Sequence, residues 1–223
     1  MRLDKSKDVA ASVKPNLPKE SKDTLQFNYM TPYFLSAYDH KTLYQGGNYL
    51  MKSTDMGDTW QAISPNLARS SVAEKKSVAA GTVVESPLSK GLLYVGTDHG
   101  AFWVSKNDGA TWEEQSTGIA SNYIRSVSPS NHHLARVYLA MPGINYDDLH
   151  SYVYVSEDYG KHWKSIAAGL PDEPVNVIKE DPSNENILYV GTDNSAYISF
   201  DKGNSWEIFN KNFPDDESGE LLI

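Results

Sequence analysis

Two aspartates directly follow a strand-like segment and are the residues best placed to do chemistry. Asp98 follows Leu-Tyr-Val-Gly-Thr at 93–97, and Asp193 follows the same five residues at 188–192. Glycoside hydrolysis requires two carboxylates that flank the scissile bond, one of them held protonated by its surroundings. Asp98 and Asp193 are therefore the candidate catalytic residues, and the alternative is that each only caps its local turn.

A long loop supplies a second candidate site. The segment 142–150, Pro-Gly-Ile-Asn-Tyr-Asp-Asp-Leu-His, lies between two strand-like segments that are joined by a short turn elsewhere in the chain. Binding residues concentrate on such loops because the strands beneath hold them in place. The candidate binding residues are Tyr146, Asp147, Asp148 and His150, and a merely solvated loop is the alternative.

Several other chemistries are excluded by composition and motif. The chain has no cysteine, which excludes disulfides, thiol catalysis and cysteine-ligated zinc. The adjacent His132 and His133 lack the spacing of a zinc site, and no Gly-x-Ser-x-Gly or phosphate-binding glycine motif occurs. We predict no metal and no cofactor.

The charge balance also limits the partners. The net charge is −9, which argues against a nucleic-acid partner and against an anionic membrane surface. A sialidase would need an arginine cluster for its substrate carboxylate, and only four arginines occur. No apolar run is long enough for membrane insertion, and the charged start of the chain predicts no signal peptide.

An octapeptide, Ser-x-Asp-x-Gly-x-Thr-Trp, recurs four times, at 53–60, 105–112, 156–163 and 199–206. Landmarks that recur every 40 to 50 residues are typical of a repeat architecture. The residues at its defining positions are Ser53, Asp55, Gly57, Trp60, Ser105, Asn107, Gly109, Trp112, Ser156, Asp158, Gly160, Trp163, Ser199, Asp201, Gly203 and Trp206.

The octapeptide is typical of a turn between two strands. We expect its aspartate to accept backbone N–H groups two or three residues further on, and its glycine to adopt a positive φ. The tryptophan is predicted to pack between repeats, with one partner for its indole N–H. Because His162 and Ser205 replace the threonine, we expect the threonine hydroxyl to be dispensable.

Each repeat contains four strand-like segments, and no stretch of useful length has helical periodicity. The fold class is therefore all-β, and four-stranded antiparallel units at this period favour propeller blades. We predict four blades at 27–68, 78–119, 121–169 and 173–212. Residues 1–26 are predicted to be a linker or arm, and 213–223 the start of a further blade or a tail.

The octapeptide resembles the Asp-box, or bacterial neuraminidase repeat. Longer stretches, at 27–32, 60–67, 85–91 and 170–177, resemble the large bacterial sortilin-like propeller proteins that carry a glycosyl-hydrolase label. The resemblance covers residues 27–223 and implies a β-propeller in a secreted, periplasmic or cell-envelope protein. Members of that family are several times longer, so we expect a fragment of a larger propeller, with a closed four-bladed ring as the alternative.

Three functional hypotheses follow. The leading one is a non-catalytic binding module with its ligand, a polysaccharide or a peptide or protein, on the loop face. The first alternative is part of a xyloglucanase-like glycoside hydrolase, and the second is a sortilin-like peptide receptor. Whether the chain is an enzyme stays open, with a non-enzyme favoured. Its protein partner is expected to be a second copy, forming a homodimer, or the remaining blades of a parent chain.

Overall fold

The computed structural model describes residues 2–4, 9–11, 13–17, 22–67, 79–143 and 148–209. Within these ranges the chain forms β-strands and no helix, so the all-β prediction is confirmed. It follows that this part of the chain contains no helix able to cross a membrane. The segment 213–223, predicted as the start of a further blade or a tail, lies outside the described residues.

The strands form one hairpin and four meanders. The hairpin pairs β1 (Arg2–Asp4) with β2 (Val9–Ala11), so the segment predicted as a linker or arm contains a two-stranded sheet. Blade 1 consists of β3 (Tyr33–Leu35), β4 (Leu43–Gly46), β5 (Leu50–Ser53) and β6 (Gln61–Ala62). Blade 2 consists of β7 (Ala80–Glu85), β8 (Leu93–Thr97), β9 (Phe102–Ser105) and β10 (Glu113–Glu114).

Blades 3 and 4 repeat the same arrangement. Blade 3 consists of β11 (Ser126–Pro129), β12 (Val137–Pro142), β13 (Ser151–Ser156) and β14 (Lys164–Ser165). Blade 4 consists of β15 (Val175–Glu180), β16 (Leu188–Thr192), β17 (Ala196–Ser199) and β18 (Glu207–Ile208). In every blade the four strands pair in chain order and antiparallel, which confirms the predicted propeller blades.

Apolar clusters fill the space between successive blades. In the recurring Leu-Tyr pair, Leu93 packs towards blade 1 while the next residue, Tyr94, packs towards blade 3. Successive residues of a strand point to opposite faces of the sheet, so this dipeptide serves both blade boundaries. Tyr44, Tyr94 and Tyr138 occupy the same place in blades 1 to 3 and are fully buried.

Each Asp-box forms the hairpin between the third and fourth strands of its blade. In the first copy Met56 and Gly57 have φ angles of 63° and 92°, which are those of a type I′ turn. The other three copies repeat this pair of positive φ angles. The fourth position therefore adopts the left-handed conformation together with the predicted glycine.

The hydrogen bonds inside the Asp-box agree with the prediction only in part. Ser53 Oγ, not the aspartate, accepts the N–H of Gly57, at 2.8 Å. Asp55 reaches four residues on, where its two carboxylate oxygens accept the backbone N–H of Thr59 at 2.8 Å and the Thr59 hydroxyl at 2.6 Å. The N–H of Gly57, two residues beyond the aspartate, therefore goes to the serine. The backbone N–H of Asp58, three residues beyond it, is among the hydrogen bonds to Asp55 that lower its pKa, so that part of the expectation holds.

The seventh Asp-box position is also less permissive than predicted. The Nδ1 atom of His162 lies 2.6 Å from the Asp158 carboxylate, and Ser205 donates its hydroxyl to Asp201 at 2.7 Å. Each substitute therefore keeps a polar atom at the place of the threonine hydroxyl. The position tolerates a change of residue and keeps the hydrogen bond that closes the turn.

The Asp-box tryptophans fasten each blade to the one before it. Trp112 Nε1 donates to the Ile63 carbonyl at 2.7 Å, across the boundary between blades 1 and 2. Trp163 and Trp206 repeat this bond across the next two boundaries, at 3.0 and 2.8 Å. Each acceptor lies three residues beyond the preceding Asp-box tryptophan. Trp60 Nε1 is buried but has no hydrogen-bond partner among the described residues, so the predicted partner is present in three copies of four.

A buried carboxylate makes a further link between blades 3 and 4. Glu180, at the end of β15, accepts hydrogen bonds from the hydroxyls of Ser130 and Tyr138 at 2.7 and 2.9 Å. Both donors belong to blade 3. A buried carboxylate needs such partners because its removal from water is costly. Glu85 and Ser36 make the equivalent bond between blades 2 and 1, at 2.6 Å.

Replacing each Asp-box tryptophan by phenylalanine tests these inter-blade bonds. We expect Trp112→Phe, Trp163→Phe and Trp206→Phe each to lower the free energy of unfolding by about 1 kcal/mol more than Trp60→Phe does. All four changes shrink the ring, but only the first three leave a carbonyl without its donor. Denaturant titration of dilute protein measures the four values, and equal losses at all four sites would contradict this assignment.

Acid sensitivity of the Asp-boxes gives a second prediction. Hydrogen bonds, chiefly from the side chain of Thr59, lower the pKa of Asp55 to about 2, and those led by the side chain of Ser205 lower the pKa of Asp201. A carboxyl whose folded pKa is depressed stabilises the protein above its unfolded pKa of about 3.9 and loses that contribution as the pH falls towards 2. We therefore expect the melting temperature to fall between about pH 4 and pH 2.

The control for this prediction occurs naturally in the chain. Asn107 stands at the aspartate position of the second Asp-box and still accepts the Thr111 N–H at 2.9 Å. The combined variant Asp55→Asn, Asp158→Asn, Asp201→Asn should remain folded and show a shallower loss of melting temperature over this pH range. An unchanged slope would mean that other carboxyl groups cause the acid sensitivity.

Candidate functional site

The predicted site residues that the structure describes lie at one end of the blades. In an antiparallel meander, successive turns open at opposite ends of the sheet. The turns after the second strands, at 47–49, 98–101, 143–150 and 193–195, therefore share one face with the connectors between blades. We call this the loop face. The Asp-boxes occupy the opposite face.

Asp98 lies in the turn after β8 and binds three neighbours. Its Oδ1 atom accepts the N–H of Ala79 at 3.2 Å and lies 2.7 Å from Nδ1 of His99. Its Oδ2 atom lies 3.5 Å from Nδ2 of Asn28. Asp98 thus links its own turn to the start of β7 and to the segment before blade 1, which is a capping role.

Asp193 lies in the equivalent turn of blade 4 and is exposed. It accepts a hydrogen bond from Nδ2 of the buried Asn176 at 2.6 Å. The Oδ1 atom of the same Asn176 accepts from Nη1 of Arg125 at 2.9 Å. The three side chains form a continuous line from blade 3 to blade 4 across the loop face.

A β-bulge positions Asn176 in this line. The pairing of β15 with β16 shifts register between Val175 and Val177, so Asn176 is the extra residue. Bulges re-aim a side chain away from the regular alternation and are frequent beside functional sites. Arg125 occupies the equivalent position in blade 3, directly before β11. Two neighbouring blades thus direct polar side chains at each other.

Blade 2 uses the same position differently. Its bulge residue is Gly81, where a Cβ atom would overlap the ring of Tyr123. The absence of a side chain there lets Tyr123 lie over β7. Burial raises the pKa of Tyr123, the charge of Arg125 lowers it and the charge of Asp98 raises it further. Tyr123 therefore lies within electrostatic reach of both charged groups.

The loop of blade 3 holds a smaller cluster. Asp148 accepts the Tyr152 hydroxyl at 2.6 Å, and its other oxygen lies 2.7 Å from Nδ1 of His150. The hydrogen bond from Tyr152, followed by those from His150, lowers the pKa of Asp148 to about 2. The same carboxylate raises the pKa of His150. Tyr146 and Asp147 lie outside the described residues.

Four residues of the loop face are not predicted by the sequence: Asn28, Tyr123, Arg125 and Asn176. Asn176 and Gly81 depend on bulges, which leave no mark in the alternation of apolar and polar residues. Tyr123 and Arg125 lie in an irregular connector, where no periodicity exists. For Tyr123 and Arg125, the only signal in the sequence is their position just before the first strand of a blade, β11.

Two grooves on the Asp-box face, of about 600 and 510 Å³, lie away from these residues. The first is lined by Trp60, Ile63 and Trp112, and the second by Tyr138, Trp163 and Ile166. Both lie at a blade boundary, so they are features of blade packing. Among the described residues, no cluster of three or more His, Asp or Glu side chains is arranged to hold a metal ion.

Comparison with known proteins agrees with this architecture. The family model for the BNR-Asp box repeat matches residues 153–166, the third copy. The fold also resembles an ancestral GH74 enzyme, with a TM-score of 0.61 and 20% identity over 88% of this chain and 25% of that one. The described residues of this chain form four blades of an Asp-box β-propeller.

Two further similarities bear on the propeller. The GH74 xyloglucanase of Xanthomonas campestris has a TM-score of 0.60 and 18% identity, over 80% of the propeller chain and 29% of the enzyme. Vacuolar protein sorting/targeting protein 10 of Laccaria bicolor is 30% identical over 90 residues, which are 39% of the propeller chain and 6% of that protein. The propeller chain spans less than a third of each relative's length.

The Asp148–His150 pair predicts a measurable titration. We expect the His150 imidazole to titrate above pH 6.5, because the adjacent carboxylate stabilises the charged ring. In Asp148→Asn the midpoint should fall towards about 6.5, the ordinary value for histidine, because the main cause of the upward shift is removed. NMR titration of the ring protons measures both midpoints. If the two proteins had the same midpoint, His150 would not contact Asp148 in solution, and this prediction would be wrong.

Proposed function

We propose that the propeller is a non-catalytic binding module whose loop face takes a polysaccharide chain. The observation that carries the proposal is the line Arg125–Asn176–Asp193, which joins two blades through hydrogen bonds of 2.9 and 2.6 Å. It places a guanidinium, an amide and a carboxylate side by side at the loop-face ends of blades 3 and 4. Loops on such scaffolds are the usual place for recognition.

The chemistry of these groups suits sugar hydroxyls. A hydroxyl donates one hydrogen bond and accepts two, so it is satisfied best where donors and acceptors alternate. Arg125 donates only, Asp193 accepts only, and the Asn176 amide does both. Tyr123 adds a half-buried aromatic ring beside them, and ring faces are good contact surfaces for the apolar side of a ligand.

The arrangement of the carboxylates favours binding over hydrolysis. A glycosidase keeps one acid protonated, for instance by an apolar pocket, and places the second opposite it across the bond. Asp98 receives the Ala79 N–H and Asp193 receives the Asn176 amide, so polar donors contact both. Neither has apolar surroundings of the kind that hold a general acid. A secreted or cell-envelope setting, which rests on the family resemblance, is part of the proposal.

The names of the similar proteins suggest the first probes. The Xanthomonas campestris neighbour is a xyloglucanase and the Laccaria bicolor relative is a sorting protein. Xyloglucan oligosaccharides, together with a general glycan array, test the polysaccharide proposal. A library of extended peptides tests the receptor alternative.

The experiment is calorimetric titration of the chain with oligosaccharides that the array selects. We expect Arg125→Ala and Asp193→Asn each to weaken binding about tenfold or more, because each removes a charged hydrogen-bonding group. Asp58→Asn is the matched control, since Asp58 is exposed on the Asp-box face, and it should leave the affinity unchanged.

Three outcomes would overturn the proposal. The first is no glycan binding, or binding that Arg125→Ala and Asp193→Asn leave intact. The second is release of reducing sugar that Asp98→Asn abolishes in a folded protein, which would favour the hydrolase alternative. The third is saturable binding of peptides alone, which would favour the receptor alternative.

A further inference from the structure

One side of blade 1 lacks a contact that the other blades make. We call the side of each blade that faces the preceding blade its leading face, and the opposite side its trailing face. Trp112, Trp163 and Trp206 each donate an indole N–H across a leading face to a backbone carbonyl. The Trp60 indole N–H has the same place in blade 1, is buried, and has no acceptor among the described residues. A buried donor left unpaired costs about 1–3 kcal/mol.

The first strand of blade 1, β3, provides a second, independent observation that the leading face of this blade is incompletely covered. Tyr33, Val83, Val127 and Ile178 occupy equivalent positions, because each pairs with the residue that follows the Leu-Tyr or Val-Tyr dipeptide. The last three point into their leading faces and are 6%, 3% and 0% exposed, whereas Tyr33 is 74% exposed. A tyrosine thus stands uncovered where three blades bury an aliphatic side chain.

Part of the blade 1 leading face has a substitute cover. Ile63 and Ile166 lie directly over the Asp-box glycines Gly109 and Gly203 of the following blades. In blade 1 the residue over Gly57 is Val13, which comes from the segment before the blade. Val13 fills the apolar place of an isoleucine, but it supplies no acceptor to the Trp60 N–H, which has none in the part of the chain that the structure describes.

The trailing edge of blade 4 carries the complementary residues. Phe209 follows β18 as Ile63 follows β6, and both donate their N–H back to the third strand, at 2.7 and 2.9 Å. Phe209 is therefore the equivalent of Ile63 and Ile166. Phe209 is 44% exposed. Both halves of the inter-blade contact thus occur in one chain, at opposite ends of the row of blades.

We propose that two copies of this chain associate head to tail, with blade 4 of one copy against the leading face of blade 1 of the other. The contact is the one that the chain forms three times between its own blades. Val13 acts as a placeholder that the incoming Phe209 displaces, and Tyr33 becomes buried. Such a contact is heterologous, so it closes into a ring or continues to further copies according to the angle between blades.

Sedimentation velocity of the full 223-residue chain over a range of concentrations tests the proposal. We expect self-association that Tyr33→Asp weakens at least about tenfold, because a charge would be buried where an apolar residue belongs. Leu88→Asp is the control: Leu88 is also an exposed apolar residue, but it lies in the turn after β7 on the Asp-box face. That change should leave the association unchanged.

Two further variants separate this contact from unspecific association. Val13→Gly weakens the placeholder, so we expect it to strengthen self-association several-fold. The Trp60 indole N–H signal should move downfield on association in 15N-labelled protein as it gains an acceptor, and Trp60→Phe should weaken the association.

A chain that stays monomeric at every concentration, with Val13→Gly only destabilising it, would identify the arm as a permanent cap and overturn the proposal. Equal association of Tyr33→Asp and Leu88→Asp would overturn it as well.

Discussion

The hydrogen bond from an Asp-box indole to the carbonyl of the preceding blade is the interaction on which the arrangement of blades depends. A four-stranded sheet that is apolar on both faces cannot be stable alone, so each blade must bury its faces against neighbours. Hydrophobic packing drives that burial but has no direction. The bond from Trp112 to the Ile63 carbonyl is directional. It forms only when the Asp-box of one blade lies beside the residues that follow the fourth strand of the previous blade, so it sets the position of one blade along the other.

The turn geometry of the Asp-box serves this bond. Ser53 Oγ and the Asp55 carboxylate bind the backbone and side-chain donors of the box, so Trp60, five residues after the aspartate, has a defined direction. The N–H of the fourth residue, Met56, also donates to the turn between the first two strands of its blade, at 3.0 Å. The box is thus tied both within its blade and across the boundary. This explains why the motif recurs with so little variation while the opposite face of the blades differs from repeat to repeat.

The two faces of the blades have different constraints. On the Asp-box face every blade repeats the serine-centred hydrogen bond of the turn, and blades 2 to 4 also repeat the indole bond to the preceding blade, so a change there affects packing. On the loop face the equivalent positions of blades 2, 3 and 4 carry Gly81, Arg125 and Asn176. Gly81 leaves room for the ring of Tyr123, whereas Arg125 and Asn176 hydrogen-bond to each other. Variation at a fixed place on a constant scaffold is how repeat proteins build binding surfaces. The leading face of blade 1 is the exception to the regular packing, since Tyr33 is exposed there and the buried Trp60 indole N–H has no acceptor among the described residues.

The sequence by itself determined the all-β class, the four repeats, the Asp-box hairpins and the loop position of Asp98 and Asp193. These features depend on local rules: turn residues at set offsets, strand alternation and a repeat period are all visible along the chain. Only the tertiary structure decided which residues meet on the loop face, because Arg125, Asn176 and Asp193 lie far apart in sequence and a register shift directs the asparagine. It likewise decided that Trp60 differs from Trp112, Trp163 and Trp206. The four octapeptides are equivalent as sequences, and a hydrogen bond across a blade boundary depends on what packs against the blade.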